Sequence, residues 1–324
     1  MKPRILVIRG GAIGDFILTL PAIKLLREAF PGAHLEILGY QHIIALAEDR
    51  FYADATRSIE YGAMAGFFVP GCELAPDLVE YFASFQQVVS FLYDPSGFFE
   101  ANLLRAGVKN LLPAFAKIDD TAHAAHQLAR PLQALALYIE DHAATVHPNT
   151  ADHSAAARFF SGVERPCIAI HPGSGSPRKN WPVERWAALA ARLSAQEQQP
   201  QLVLIGGEAD EASLAALSSA CPDALVARDL PLPHLAAVLA RCRLFLGHDS
   251  GISHLAAAAG TPCVLLFGPT DPAIWAPANQ HATVIVAPGG DLAELSVDAV
   301  FATVSARAPC PPVQASRLND LPRR

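Results

Sequence analysis

One stretch, residues 244–272, constrains the fold most, because it alternates short apolar runs with polar turns. The first apolar run leads into a polar turn at His248, then into an alanine-rich helical segment. A second apolar run, 263–267, leads into a second polar turn. Runs of this length are typical of buried parallel strands. The stretch therefore predicts a β–α–β unit of an open parallel sheet, whose ligands bind beyond the carboxyl ends of the strands.

The same alternation recurs along most of the chain and weakens only in the polar segment 141–165. We therefore predict two α/β domains, 1–150 and 151–324, the second of which ends in a proline-rich tail, 308–324. The other predicted strands lie at 5–8, 35–38, 88–92, 167–171, 202–205, 225–227 and 283–286.

Composition argues against several classes of protein. The net charge is −7 and neither half of the chain is basic, so nucleic-acid binding is not expected. No apolar stretch reaches the roughly 18 residues of a membrane-spanning helix. The six cysteines include no CxxC pair, as expected of a reduced protein. The expected location is the cytoplasm, and peripheral contact with the cytoplasmic face of the inner membrane is left open.

A glycine-rich turn, residues 9–15, follows the first predicted strand. It lacks the GxGxxG spacing of dinucleotide-binding enzymes. It does place Gly14 and Asp15 at the start of a helix, at the carboxyl end of the strand. The Asp15 carboxylate either complements the helix dipole or has a functional role.

Two later turns have the composition of phosphate-binding loops. Residues 171–182 combine small residues with one lysine, and residues 248–254 open a helix, whose free amides attract anions. Neither turn has P-loop spacing. The candidate ligand-binding residues are Gly173, Ser174, Ser176, Lys179, Asp249, Ser250, Gly251 and His254.

Three further carboxylates follow a predicted strand at 202–205, and any of them could accept hydrogen bonds from ribose hydroxyls. They are Glu208, Asp210 and Glu211. In the first domain Asp94 follows a strand and is a candidate contact to a second substrate. The histidines show no HExxH spacing, so no metal site is expected.

Three motifs together resemble the family-nine glycosyltransferases, the heptosyltransferases that build the inner core of bacterial lipopolysaccharide. The segment DSGISHLAAA, followed by FGPTDP, is similar to the C-terminal signature of that family. The residues R-x-x-x-I-G-D, ending at Asp15, are similar to its N-terminal motif. The residues HPGS followed by K-x-W-P are similar to its diphosphate-binding loop.

The resemblance implies a GT-B fold, in which two Rossmann-like domains face each other across a cleft. It implies inverting transfer of a heptosyl residue from an ADP-activated donor to a hydroxyl of a lipid-linked lipopolysaccharide core acceptor. Asp15 would be the base and Gly14 would lie on the acceptor side. Lys179 and the two small-residue turns would bind the diphosphate, and Glu208 is favoured for ribose. Asp249 would bind sugar or organise the site. No metal and no cofactor besides the ADP-sugar are expected.

Three alternatives stay open at this stage. The same scaffold could use another nucleotide-sugar or another acceptor. It could also belong to a sugar-nucleotide epimerase of the GT-B type. A non-catalytic nucleotide-sugar-binding protein is the third alternative.

Overall fold

The computed structural model describes residues 2–197 and 199–307, which form two parallel β-sheets flanked by helices. The predicted proline-rich tail, 308–324, lies outside the described residues. Within the described ranges, no helix has the length and apolar character that crossing a bilayer requires.

The first sheet consists of five parallel strands. They are β1 (Arg4–Arg9), β2 (His34–Gly39), β3 (Ala55–Ser58), β4 (Gln87–Ser90) and β5 (Leu111–Pro113). Their order across the sheet is β3-β2-β1-β4-β5. The accompanying helices are α1 (Ile13–Ala29), α2 (Gln41–Ile44), α3 (Pro76–Ala83), α4 (Phe98–Arg105) and α5 (Ala124–Ala129), with 3₁₀ turns at Gly62–Phe68 and Arg130–Leu135.

The second sheet consists of six parallel strands. They are β6 (Cys167–Ile170), β7 (Gln201–Gly206), β8 (Leu225–Arg228), β9 (Leu244–His248), β10 (Cys263–Phe267) and β11 (Ala282–Val286). Their order is β11-β10-β9-β6-β7-β8. The helices are α6 (Thr150–Phe159), α7 (Val183–Ser194), α8 (Glu211–Ala220), α9 (Leu232–Leu239), α10 (Gly251–Ala258), α11 (Pro272–Trp275) and α12 (Val297–Ala306). The 3₁₀ turns are Pro177–Lys179, Glu208–Asp210, Pro288–Gly290 and Leu292–Glu294.

The strand order reverses once in each sheet, between β1 and β4 and between β6 and β9. The loops that leave two such strands part to opposite faces of the sheet and open a crevice, which is where ligands of these folds bind. The predicted glycine-rich turn follows β1. The two predicted phosphate-binding turns follow β6 and β9, which are hydrogen-bonded neighbours. Sheet topology therefore brings together turns that lie about 75 residues apart in the sequence.

Two details of the sequence-based prediction are wrong. Strand β3 was missed because it lies at the sheet edge, is half-buried throughout, and has no apolar pattern. Helix α6 was missed inside the polar segment 141–165, although Asn149 and Asp152 form a capping box there. The sequence also predicts a helix over 121–137 that Pro131 interrupts or kinks, and the structure has α5 followed by a 3₁₀ turn there, since proline cannot continue an α-helix.

The segment between the two sheets is bound to both of them. The Tyr52 hydroxyl donates to the Thr145 carbonyl at 2.6 Å, and the Val146 amide donates to the Ala258 carbonyl at 2.9 Å. The predicted domain boundary falls at the first residue of α6. This helix packs against α9 of the second sheet, and its Asp152 pairs with Arg50 beside the first sheet.

We predict that Arg50→Ala lowers the free energy of unfolding by about 2 kcal/mol. The two side chains are 9% and 4% exposed, so the variant leaves the Asp152 carboxylate buried without its cation. Removing one partner of a buried ion pair typically costs about 3–5 kcal/mol. The loss should be smaller here, because Asp152 still accepts a hydrogen bond from the Asn149 amide at 2.8 Å. Urea denaturation measures the change. Arg192→Ala, which breaks a largely exposed pair, is the control, and equal losses in both variants would contradict the prediction.

Candidate active site

The carboxylate of Asp15 lies where β1 passes into α1, in the first turn of the helix. Its Oδ2 accepts the Ala12 amide at 2.8 Å, so it caps the helix, and 44% of the side chain stays exposed. Gly11 has φ +95°, and a Cβ there would lie 2.7 Å from that same oxygen. The glycine therefore permits both the turn and the approach of the carboxylate. Asp15 can cap the helix and still accept a proton from a ligand, because the cap uses only one of the two carboxylate oxygens.

Arg9 at the end of β1 supports Asp15 from below. Its guanidinium donates to the carbonyls of Phe91 and Asp15, both at 3.2 Å, and lies 3.6 Å from Asp15 Oδ1. Burial lowers the pKa of Arg9 from its ordinary value, an effect that the Asp15 carboxylate partly opposes. The ion pair and the cap together hold the carboxylate in one place.

Two cavities adjoin this turn. The first, called here the first-domain cavity, has a volume of about 720 Å³. Asp15, Tyr93, Phe115 and Lys117 line it, and Trp275 of α11 adds a wall from the second domain. The second, the cleft cavity, has a volume of about 630 Å³. Residues 11–14 of the first domain line one side of the cleft cavity. The other side is lined by residues of the second domain, among them His171, Ser174, Asp210, Ser250 and Gly251.

The loop after β6 is fastened to the end of β9 by a buried histidine. His248 accepts the Trp181 amide on Nε2 at 2.8 Å, and its Nδ1 donates to the Gly173 carbonyl at 3.2 Å. Burial lowers the pKa of His248 to about 3, so the ring is neutral and both bonds persist at neutral pH. The sequence analysis did not single out His248. The signal that could have indicated its role is its position as the last residue of an apolar, buried strand.

Within this loop, the serines and the lysine have different environments. The Ser174 hydroxyl lies 2.6 Å from Asn180 Oδ1 and 2.8 Å from the Ser176 carbonyl, and so braces the loop. Ser176 is half-buried. Lys179 extends toward the β9 turn, where its Nζ donates to Asp249 Oδ2 at 2.7 Å.

Asp249 organises the lysine. Its Oδ2 accepts both Lys179 and the Thr270 hydroxyl, each at 2.7 Å, and the side chain is 10% exposed. Lys179 remains 30% exposed, so a ligand can reach its ammonium group. The pair positions one cation at the carboxyl ends of β6 and β9. This arrangement fits the organising role expected of Asp249 and adds Thr270, which the sequence analysis missed.

The start of α10 faces the start of α1. Ser250 caps α10, its Oγ accepting the Ser253 amide at 3.3 Å. His254 is buried next to Gly14, where a Cβ would lie 3.6 Å from its Cδ2. Burial lowers the pKa of His254 to about 4, against the opposing effect of the Asp249 and Asp15 carboxylates. The ring is therefore neutral at neutral pH, and carboxylates of both domains act on its pKa.

We predict that Gly251→Ala lowers kcat about tenfold to a hundredfold, since displacement of a reacting group by about 1 Å has effects of this size. The new Cβ would lie 2.9 Å from both the Gly14 nitrogen and the Ile13 Cβ. Backbone cannot yield as a flexible side chain does, so the two domains must separate. Initial-rate kinetics measures the loss. Gly62→Ala, where a Cβ meets open space, is the control. An unchanged kcat for Gly251→Ala would show that the contact tolerates a methyl group.

The three candidate ribose carboxylates have different environments. Glu208 is exposed and is not among the described residues that line the cleft cavity. Asp210 does line it, and its Oδ2 lies 3.1 Å from His171 Nε2, which holds the pKa of this carboxyl below its usual range. A Cβ at Gly173 would overlap Asp210, so the loop needs a glycine there. Asp229, exposed at the end of β8, also lines the cavity and was missed by the sequence analysis. The assignment of Glu208 to ribose stays a prediction.

Asp94 lies near the first-domain cavity but does not line it. Its Oδ2 accepts the Glu100 amide at 2.9 Å, which caps α4. Its neighbour Tyr93 lines the cavity instead. Across residues 2–197 and 199–307, no three His, Cys, Asp or Glu side chains come together as metal ligands.

Comparison with known proteins identifies the family. Residues 110–302, more than half of the chain, match the model of glycosyltransferase family 9 (heptosyltransferase). The Haemophilus influenzae lipooligosaccharide heptosyltransferase 2 is 33% identical over 136 residues, which are 40% of this chain and 39% of that protein. The Escherichia coli lipopolysaccharide heptosyltransferase 3 is 24% identical over 297 residues, covering 83% of this chain and 84% of that protein.

A solved structure, E. coli heptosyltransferase WaaC with ADP, superposes with a TM-score of 0.69 at 20% identity, over 94% of this chain and all of that one (100%). The likeness supports the predicted GT-B fold, with two parallel sheets facing across a cleft. The matched segment, which contains both turns after β6 and β9, establishes that the chain belongs to glycosyltransferase family 9.

Proposed function

We propose that this chain is an inverting heptosyltransferase that moves a heptosyl residue from an ADP-activated donor to a hydroxyl of a lipopolysaccharide inner-core acceptor. One observation carries the proposal. The start of α1, which holds Asp15, contacts the start of α10, which follows the Lys179–Asp249 pair, and a Cβ at Gly251 would lie 2.9 Å from the Gly14 nitrogen. A base and a diphosphate-binding cation are the two groups that such a transfer requires.

In the proposed reaction, the diphosphate of the donor lies near Lys179 and the amides at the start of α10. The acceptor hydroxyl attacks the anomeric carbon while Asp15 removes its proton. The bond between that carbon and the diphosphate oxygen breaks, and the electron pair leaves with ADP. Lys179 stabilises the charge that develops on the leaving group, where a fixed cation contributes most to rate.

The names of relatives support the choice of substrates. The curated relatives are named heptosyltransferases of lipopolysaccharide and lipooligosaccharide, and one solved neighbour contains ADP. The matches to the first relatives span about two-fifths of their own length, 39% and 38%.

The test measures ADP release from ADP-heptose with and without a core acceptor, with mass detection of the product. Acceptor-dependent ADP release with an acceptor one heptose heavier supports the proposal. Release of UDP or GDP from the corresponding nucleotide-sugars, with no ADP released from ADP-heptose, would indicate another donor. Conversion without acceptor would indicate an epimerase, and binding without turnover a non-catalytic protein. Transfer is expected to continue in excess EDTA, because the proposed countercharge comes from Lys179 and backbone amides.

A further inference from the structure

We propose that Asp210, His171 and Ser250 form a hydrogen-bonded relay, in which His171 takes up a proton when the donor diphosphate binds and turns the Ser250 hydroxyl toward that diphosphate. The inference rests on the proposed function, because that function places the diphosphate at the start of α10. Asp210 and His171 are positioning residues here, since they act on the diphosphate through Ser250.

The three side chains are connected along one wall of the cleft cavity. His171 Nε2 lies 3.1 Å from Asp210 Oδ2, and His171 Nδ1 lies 3.5 Å from Ser250 Oγ. They come from the turns after β6, β7 and β9, and all three line the cavity. The strand order makes this possible, because β6 lies between β7 and β9. The 3.5 Å contact is long, as hydrogen bonds in ligand-free sites often are before a ligand tightens them.

The partners of His171 define the tautomer of its neutral ring. The hydrogen bond from His171 holds the pKa of the Asp210 carboxyl below its usual range, so this group is a carboxylate and only accepts hydrogen bonds. Nε2 of the ring therefore carries the hydrogen, which leaves Nδ1 as an acceptor for the Ser250 hydroxyl. His171 is only 3% exposed, so an Nδ1 atom without a donor would cost free energy.

The Ser250 hydroxyl has one hydrogen to donate and several acceptors within reach. Its Oγ accepts the Ser253 amide at 3.3 Å and lies 3.1 Å from Ser253 Oγ. The Ser253 hydroxyl itself donates to the His248 carbonyl. Among the described residues, the Ser250 hydrogen therefore points to Ser253 Oγ, to His171 Nδ1 or into the cavity. A diphosphate at the start of α10 is a charged acceptor, which binds a hydroxyl more strongly than the two neutral ones.

Once the Ser250 hydroxyl donates to a diphosphate, Nδ1 of a neutral His171 ring has no donor. Protonation of Nδ1 removes this cost, because the new N–H donates to Ser250 Oγ while Nε2–H still donates to Asp210. The carboxylate on one side and the diphosphate on the other both favour the charged ring. The proton comes from solvent, and the serine keeps its own hydrogen, which it donates to the diphosphate.

Charges around His171 decide the balance between its two forms. Asp210 favours the imidazolium, whereas the His248 ring is buried and neutral and adds no charge. Lys179 and Asp249 form an ion pair at 2.7 Å and so offset each other. The other acidic side chains at the ends of β7 and β8 are the exposed Glu208 and Asp229. The diphosphate is therefore the group whose arrival changes the charge at His171.

The experiment measures proton uptake when ADP-heptose binds in the absence of an acceptor. Both phosphates of this ligand are esterified, so it lacks the ionisation near about pH 6 of a phosphate monoester, and the protein must take up the proton. Calorimetry at about pH 7.5, in two buffers of different ionisation enthalpy, counts the protons. Wild type is expected to take up about half to one proton per bound ligand. Because binding takes up a proton, affinity should fall as pH rises, by at most about tenfold per pH unit.

His171→Gln should abolish the proton uptake and make the affinity nearly independent of pH. The glutamine amide can still donate to Asp210, so the variant keeps one of the two bonds of the histidine. Its affinity should lie about tenfold below that of wild type at about pH 6.5, the loss of a charge-assisted bond, and within about threefold of it at about pH 8.5. Ser250→Ala should also lose the uptake, because the protonated Nδ1 then has no acceptor. Asp210→Asn should reduce it, since the imidazolium loses its carboxylate.

A matched control is His42→Gln. His42 also lines the cleft cavity, but it is exposed on α2 of the first domain. Its replacement should leave the proton uptake and the pH dependence of affinity unchanged. Thermal unfolding of every variant shows whether it is folded before calorimetry is interpreted.

Several results would overturn the inference. Binding of ADP-heptose to wild type without proton uptake would refute the relay and leave the proposed function intact. Uptake that persists in His171→Gln would assign the proton to another group. Unchanged uptake in Ser250→Ala would mean that His171 contacts the diphosphate directly and that no relay exists. A wild-type protein that does not bind ADP-heptose would refute the proposed function itself, and this inference with it, which is a separate outcome.

Discussion

Asp15→Asn is expected to lower kcat for sugar transfer by about 10²–10⁴-fold, the contribution that general-base catalysis typically makes. Asparagine has nearly the same shape, and its side-chain oxygen can still accept the Ala12 amide that caps α1. It cannot take a proton from the acceptor hydroxyl. Asp15 lines the first-domain cavity and not the cleft cavity, so ADP affinity should stay within about twofold of wild type.

Measurement of kcat with saturating donor and acceptor, together with calorimetry of ADP binding, checks this prediction. Asp77→Asn is the matched control, because Asp77 is also an exposed acidic residue in the first turn of a helix but lines neither cavity. Thermal unfolding of both variants shows whether the cap of α1 survives. A kcat for Asp15→Asn within about threefold of wild type would reduce Asp15 to a helix cap, since base catalysis should exceed that.

Lys179→Gln is expected to weaken ADP binding about tenfold to a hundredfold and to lower kcat by about 10²–10³-fold. The first effect is the loss of one charge-assisted contact. The second is larger because the diphosphate gains charge as the glycosidic bond breaks, and a fixed cation acts most strongly at that stage. Glutamine retains a donor for the Asp249 carboxylate, which is 10% exposed and would otherwise lose one of its two side-chain partners.

Calorimetry with ADP and single-turnover transfer rates measure the two effects separately. Arg178→Ala is the control for removal of one positive charge, because Arg178 is the exposed neighbour of Lys179 and is not the residue that pairs with Asp249. If both variants lose ADP affinity equally, the effect is long-range electrostatics rather than contact. If ADP affinity is unchanged in Lys179→Gln, the diphosphate lies elsewhere.

The sequence by itself determined the layout of most strands and the motifs at their ends. Continuous apolar runs such as 202–205 and 263–267 match only strands that are buried on both faces, and both are fully buried in β7 and β10. The small-residue turns after β6 and β9 and the Gly14–Asp15 turn carried the family resemblance. Edge strand β3 and the polar helix α6 were not predicted, because an element that is only partly buried needs no apolar pattern.

Tertiary structure alone decided which polar groups meet. The adjacency of β6 and β9 sets Lys179 on Asp249, and the contact of α1 with α10 brings Gly14 against Gly251, across more than 230 residues of chain. No local pattern encodes such distances, because they depend on strand order and on how two domains pack. The same reason explains why Asp210 lines the cleft cavity and Glu208 does not. The two residues lie in one 3₁₀ turn, in which Glu208 is exposed and the Asp210 carboxylate contacts His171.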